Sequence, residues 1–127
     1  MIFGIGTDIV SYHRIRELNE KYGERFALRL LSAAEMAEYG TSADPARYLM
    51  KHFAAKEAFA KALGTGLRAG VTLQRITVAH DDMGKPLFAL DDVLMNYVVR
   101  LGVTRHHLSI SDEREMAVAF AVLEGGH

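Results

Sequence analysis

An acid inside an apolar strand and a Glu–Lys pair on a helix are the residues of this chain best suited to chemistry. Asp8 lies in Ile2-Phe3-Gly4-Ile5-Gly6-Thr7-Asp8-Ile9-Val10, where a carboxylate is costly to bury unless it is paired or ligated. Glu57 and Lys61 lie in HFAAKEAFAKALGTG, residues 52–66. At about 100° per residue, their side chains project within about 40° of one another. Taken alone, Glu57 four residues before Lys61 is an ordinary exposed ion pair. Together with Asp8, Glu57 would give the two carboxylates that Mg²⁺ typically takes from protein, with waters and substrate phosphates completing its octahedron. Lys56 flanks the pair on the adjoining stripe.

Other groups are weaker alone. Gly64-Thr65-Gly66 stops the helix; it follows its helix, unlike a P-loop, but its amides beside Lys61 could hold a phosphate. Lys85-Pro86 reads as turn chemistry. His107, Ser109 and Ser111 share a strand face, which either lines a ligand groove or is solvated. No nucleophile elbow supports a Ser-His hydrolase. Arg14, Arg25 and Arg29, interleaved with Phe26 and Leu28, form either a solvated face or a dock for an acidic helical partner, which arginine suits through bidentate contacts.

The elements that position these residues follow from periodicity and caps. Residues 2–10 alternate as a strand with Gly4, Gly6 and Asp8 on one face, inviting close approach by a ligand or another element. Ser11 caps a helix from Tyr12, Gly23 divides two short helices, and Ser32 with Glu35 is a capping box for another. Asp44-Pro45 opens the long helix to Leu63. Runs at 73–79 and 87–90 make a hairpin, Asp91 caps a helix to Leu101, and 107–111 and 116–124 are strands. In the last, Ala117, Ala119 and Ala121 form a small face suited to a close helix; Met116, Val118, Phe120 and Val122 form a large face for core or a subunit interface. The fold class is α+β, a mostly antiparallel sheet packed against one long helix and several short ones. The 127 residues suit one domain, 1–127.

A net charge of −1 gives no global pull toward nucleic acid or an anionic membrane. No apolar run reaches the ~20 residues of a membrane span, and MIFGIGTDIV lacks the basic start and cleavage site expected of a signal peptide. Absence of cysteine removes disulfide, thiolate and zinc–sulfur chemistry. A cytoplasmic protein is the expectation.

Three stretches in order resemble one family: GIGTDIV at the start, FAAKEAFAKALGTG with GKP behind it, and HLSIS…AVAFAVLE at the end. They resemble the holo-[acyl-carrier-protein] synthases, the small bacterial 4′-phosphopantetheinyl transferases, from about Ile2 to Glu124. The resemblance implies Mg²⁺-dependent transfer of 4′-phosphopantetheine from coenzyme A to a serine of apo acyl carrier protein, releasing adenosine 3′,5′-bisphosphate, in support of fatty acid biosynthesis. It also implies a homotrimer with active sites in clefts between neighbours. On that basis Asp8 and Glu57 are the expected magnesium ligands, and Lys61 joins them as catalytic. His52, Lys56, Lys61, Gly64, Gly66, Lys85, Pro86, His107 and Ser109 are expected along the coenzyme A cleft. Arg14, Arg25 and Arg29 are expected to dock the carrier protein. Two positions depart from the family: His52 stands where many members carry Arg, and Asp112 where many have a second histidine. A binding module without turnover and a hydrolase of coenzyme A thioesters are the competing classes.

Overall fold

The computed structural model describes residues 1–66 and 71–126. In order they form β1 (Ile2–Ser11), α1 (Tyr12–Tyr22), α2 (Glu24–Leu30), α3 (Ala33–Gly40), α4 (Pro45–Leu63), a 3₁₀ turn (Leu73–Arg75), β2 (Ile76–His80), β3 (Pro86–Leu90), α5 (Asp92–Leu101), β4 (Val103–Asp112) and β5 (Met116–Gly125). The expected α+β class and antiparallel pairing are present, but the strands divide into two sheets. One is three-stranded, β1-β5-β4; the other is the β2-β3 hairpin. The first turn of the predicted strand at 73–79 is 3₁₀, and β4 starts at Val103 rather than 107.

Side-chain size fixes how α4 meets the main sheet. A Cβ on Gly4 would fall 1.9 Å from the Ala62 carbonyl oxygen, and one on Gly6 1.9 Å from that of Ala58. The glycine face of β1 therefore serves close approach by the helix backbone, not by a ligand. Ala117, Ala119 and Ala121 of β5, on the same inner face, are fully buried. Gly6→Ala would drive a methyl into backbone and prise the helix off the sheet. Elsewhere α4 buries Leu49, Met50, Phe59 and Leu63, each fully buried large side chain contributing about 2–3 kcal/mol.

Local signals set the ends of α4. Asp44 accepts from the Arg47 amide (3.1 Å), Pro45 starts the first turn, and Gly64 at φ 83° stops the last.

The outer sheet face carries the large side chains of β5. Register aligns three rows across β1, β5 and β4: Ile5–Val122–His107, Thr7–Phe120–Ser109 and Ile9–Val118–Ser111. Ile5, Ile9 and Phe120 are each more than half exposed there. Among the described residues, no helix is long and apolar enough to cross a membrane.

Candidate active site

Asp8, Glu57 and Lys61 come together at the β1 edge of the main sheet. Asp8 follows Gly4 and Gly6 on the inner face, so the close contact that seats α4 also carries Glu57 and Lys61 past it. The Lys61 ammonium donates to Asp8 Oδ1 (2.9 Å) and to the Thr7 carbonyl (3.1 Å). Lys61 thus pairs with Asp8 across the helix–sheet junction rather than with Glu57 along the helix. Burial first, and then the nearby Asp8 charge, push the Glu57 carboxyl above its usual range, with Lys61 opposing. Two carboxylates within each other's field, with one ammonium bound to Asp8, are a donor set short of positive charge. That fits a divalent cation, and Lys61 already supplies part of the neutralising charge there.

A second group gathers at the opposite sheet edge. Lys85 and Pro86, from the β2–β3 hairpin, line a groove of about 330 Å³ with His107, Ser109, Phe120 and Val122. The face predicted for His107 and Ser109 is therefore a groove wall. His107 Nε2 meets Glu124 Oε2, and this hydrogen bond holds the Glu124 carboxyl below its usual range. Two strand spacings of about 4.8 Å separate the β1 and β4 edges. Asp8 faces inward and His107 outward, so the two groups do not share one space within a subunit.

Arg14, Arg25 and Arg29 are exposed on α1 and α2. Arg25 and Arg29 flank a groove of about 480 Å³ walled by Leu18, Tyr22, Phe26 and Leu28. Arg14 precedes Leu18 and Tyr22 on the same helical stripe.

Three expectations are corrected by the interior. Lys56 is fully buried, and its ammonium donates to the Leu30 carbonyl (2.7 Å), the Leu73 carbonyl (3.1 Å) and Glu35 Oε1. With all three donors engaged inside the subunit, it has none for a phosphate. His52 is also buried: Nδ1 donates to the Tyr48 carbonyl (2.7 Å), the ring stacks on Tyr48, and Nε2 lies 3.7 Å from Glu35 Oε2. Burial holds His52 below its ordinary pKa, although Glu35 pulls the other way. The amides of Gly64 and Gly66 donate to the Lys61 and Ala60 carbonyls, closing the helix, so these two are not free for a phosphate.

Three contributors escaped sequence reasoning. Glu35 reads as a capping-box residue, which it is, but it also grips Lys56 and the Val78 amide (2.8 Å). Glu124 gave no signal as the partner of His107. Arg47 binds Asp112 Oδ2 (3.0 Å) and the Glu113 and Arg114 carbonyls (2.8 Å each), tying α4 to the β4–β5 turn. Asp112, the second departure from the family pattern, is thus an internal ion-pair partner of Arg47, with Lys51 at 3.7 Å.

The family model for the 4′-phosphopantetheinyl transferase superfamily matches residues 4–121. A holo-[acyl-carrier-protein] synthase from Nitrosospira multiformis is 57% identical over 124 residues, spanning 98% of this chain and 99% of that protein. The crystal structure of the holo-[acyl-carrier-protein] synthase from Neisseria meningitidis superposes with a TM-score of 0.94 at 48% identity, over 98% of this chain and 99% of that one. The Bacillus anthracis synthase, solved in complex with CoA (3′,5′-ADP), superposes at 0.81 with 35% identity, covering 99% of each chain.

Proposed function

Since the chain belongs to the holo-[acyl-carrier-protein] synthase family of 4′-phosphopantetheinyl transferases, we propose that it moves 4′-phosphopantetheine from coenzyme A to a serine of apo acyl carrier protein in the cytoplasm, with Asp8, Glu57 and Lys61 as its catalytic group. The observation that carries the residue assignment is the Asp8–Lys61 pair at 2.9 Å beside a Glu57 whose pKa is raised by burial and by Asp8.

Asp8 and Glu57 would hold a magnesium ion, whose charge would neutralise the pyrophosphate of coenzyme A and the departing adenosine 3′,5′-bisphosphate. Lys61, more than half exposed, swings its ammonium onto the same oxygens. The serine oxygen attacks the phosphorus that carries pantetheine, a new P–O bond forms, and the bond to the bisphosphate breaks. The serine proton would leave either to a water made more acidic by the metal or to Glu57 through a water. Catalysis is then chiefly positioning and electrostatics.

The assembly is read as a homotrimer. The outer sheet face leaves Ile5, Ile9 and Phe120 open in contiguous rows, an apolar surface that a neighbouring copy would cover. The groove at Lys85, Pro86, His107 and Ser109 borders that face, so coenzyme A would lie between this wall on one copy and Asp8–Glu57–Lys61 on the next. The carrier would dock its acidic helix on Arg14, Arg25 and Arg29, with apolar side chains in the Leu18–Phe26–Leu28 groove. A carrier of fatty acid synthesis is the proposed partner.

Mass spectrometry of apo carrier incubated with the protein, coenzyme A and Mg²⁺ tests the reading. One added phosphopantetheine, abolished by excess EDTA, is expected. An unchanged carrier mass would overturn the transfer, and transfer undiminished in EDTA would overturn the metal role.

A further inference from the structure

The contact between α4 and the main sheet is close but smooth. Gly4 and Gly6 lie against the carbonyls of Ala58 and Ala62, and the neighbouring strand presents Ala117, Ala119 and Ala121. Registry between packed elements normally comes from side chains interdigitating, ridges in grooves. A glycine and alanine face has no such ridges, so it permits a short separation while resisting rotation and sliding of the helix poorly. The chemistry cannot tolerate either motion. Side chains stand about 5–6 Å from a helix axis, so a 15° rotation of α4 would carry the Glu57 carboxylate roughly 1.5 Å from its place beside Asp8.

A registry device stands elsewhere on the helix. The Lys56 ammonium reaches the last residue of α2 at Leu30, the 3₁₀ turn at Leu73 and Glu35 of α3. Glu35 in turn accepts from the Ser32 amide (2.9 Å) through Oε1 and from the Val78 amide of β2 (2.8 Å) through Oε2. Both side chains are fully buried. Every donor of the ammonium is used, and both carboxylate oxygens accept. A buried ion pair is weak evidence for stability, since apolar replacement of the whole pair is often neutral; fixing one arrangement among several is its better-attested use. Lys56 immediately precedes Glu57, so fixing the direction of one side chain fixes the other at about 100° and Lys61 at about 140° from Lys56.

We infer that Lys56 and Glu35 are positioning residues for the transfer reaction: their buried clamp sets the rotation of α4 on its smooth glycine–alanine seat and so aims Glu57 and Lys61 at Asp8. This rests on the proposed catalytic role of those three residues. The clamp spends its interactions on geometry rather than on substrate, which accounts for a lysine beside Glu57 with no donor left for a ligand.

Two variants test it. Glu35→Gln/Lys56→Met removes both charges together, avoiding the orphaned charge that either single change would leave. Glu35→Asp keeps the pair but shortens the clamp by one methylene. For each, the melting temperature, kcat and KM for coenzyme A, and the affinity for Mn²⁺ alone by electron paramagnetic resonance are measured. The expected result is a folded protein with kcat down about tenfold or more, little change in KM, and Mn²⁺ affinity reduced about tenfold. If the double variant does not fold, Glu35→Asp carries the test. Wild-type kcat and Mn²⁺ affinity in folded variants would overturn the inference. Glu57→Gln measured alongside separates the two claims, because unchanged activity and Mn²⁺ binding there would instead sink the catalytic assignment.

Discussion

The two edges of the main sheet are built by different rules. At the β1 edge, Asp8, Glu57 and Lys61 assemble within one chain, because glycines in the strand let the helix backbone close down beside the acid. At the β4 edge, Lys85, Pro86, His107 and Ser109 form a wall facing outward, bordered by an exposed Phe120 and open on the far side. One edge gathers charge; the other offers a groove lined by Lys85, Pro86, His107 and Ser109. Under the proposed trimer, the two edges are half-sites that complete each other across copies.

Changes at one edge should therefore act on chemistry, and changes at the other on binding or assembly. The largest effect is expected from Glu57→Gln, which removes a carboxylate from the charged edge. It should lower transfer about 100-fold or more with the circular dichroism spectrum and melting curve retained; activity within a few-fold of wild type would refute its role. Phe120→Asp leaves the Asp8–Lys61 pair untouched and charges the open face. Sedimentation should show dissociation to monomers, and transfer should fall with it. A fully active monomer would collapse the distinction between the edges.

Arg14→Ala touches neither edge. It should raise KM for the carrier about fivefold, in keeping with one exposed charge pair of about 1 kcal/mol. The salt dependence of carrier binding should weaken, with coenzyme A binding unchanged.

The smallest effect concerns stability. Burial holds His52 below its ordinary 6.5, so as pH falls through 6.5 the unfolded chain gains a proton that the folded chain refuses. Its contribution to stability is full above 6.5 and is lost as pH falls toward the depressed folded value. His106, also held down by burial, acts in the same sense. His52→Gln should flatten the decline in melting temperature over that window. An unaltered slope would leave His106 as its sole histidine source.

Much of this arrangement was legible in the sequence because it rests on local rules. Periodicity exposed the glycine face of β1 and the alanine face of β5, and caps at Ser11, Ser32, Asp44 and Asp91 placed four helix starts. Asp8 and Glu57, far apart in sequence, do come near one another, close enough for the Asp8 charge to raise the Glu57 pKa. Long-range electrostatics stayed hidden. Helix spacing pairs Glu57 with Lys61, but only the fold shows that Lys61 crosses to Asp8. A lysine beside Glu57 looks like a ligand-binding charge, and only its burial against Glu35, one element earlier, shows otherwise. His52 and Arg47 were opaque for the same reason, their partners being carbonyls and carboxylates that no spacing rule brings near.

The completion of one half-site by another subunit is tested most directly by mixing two crippled chains. Glu57→Gln and Lys85→Ala/His107→Ala subunits, co-expressed in equal amounts and purified as mixed trimers, pair an intact charged edge with an intact groove in about a third of their clefts. Transfer to the carrier should return to about that fraction of wild type, well above either variant alone. Mixed trimers no more active than the better of their two parents would place both half-sites in one subunit and contradict the account.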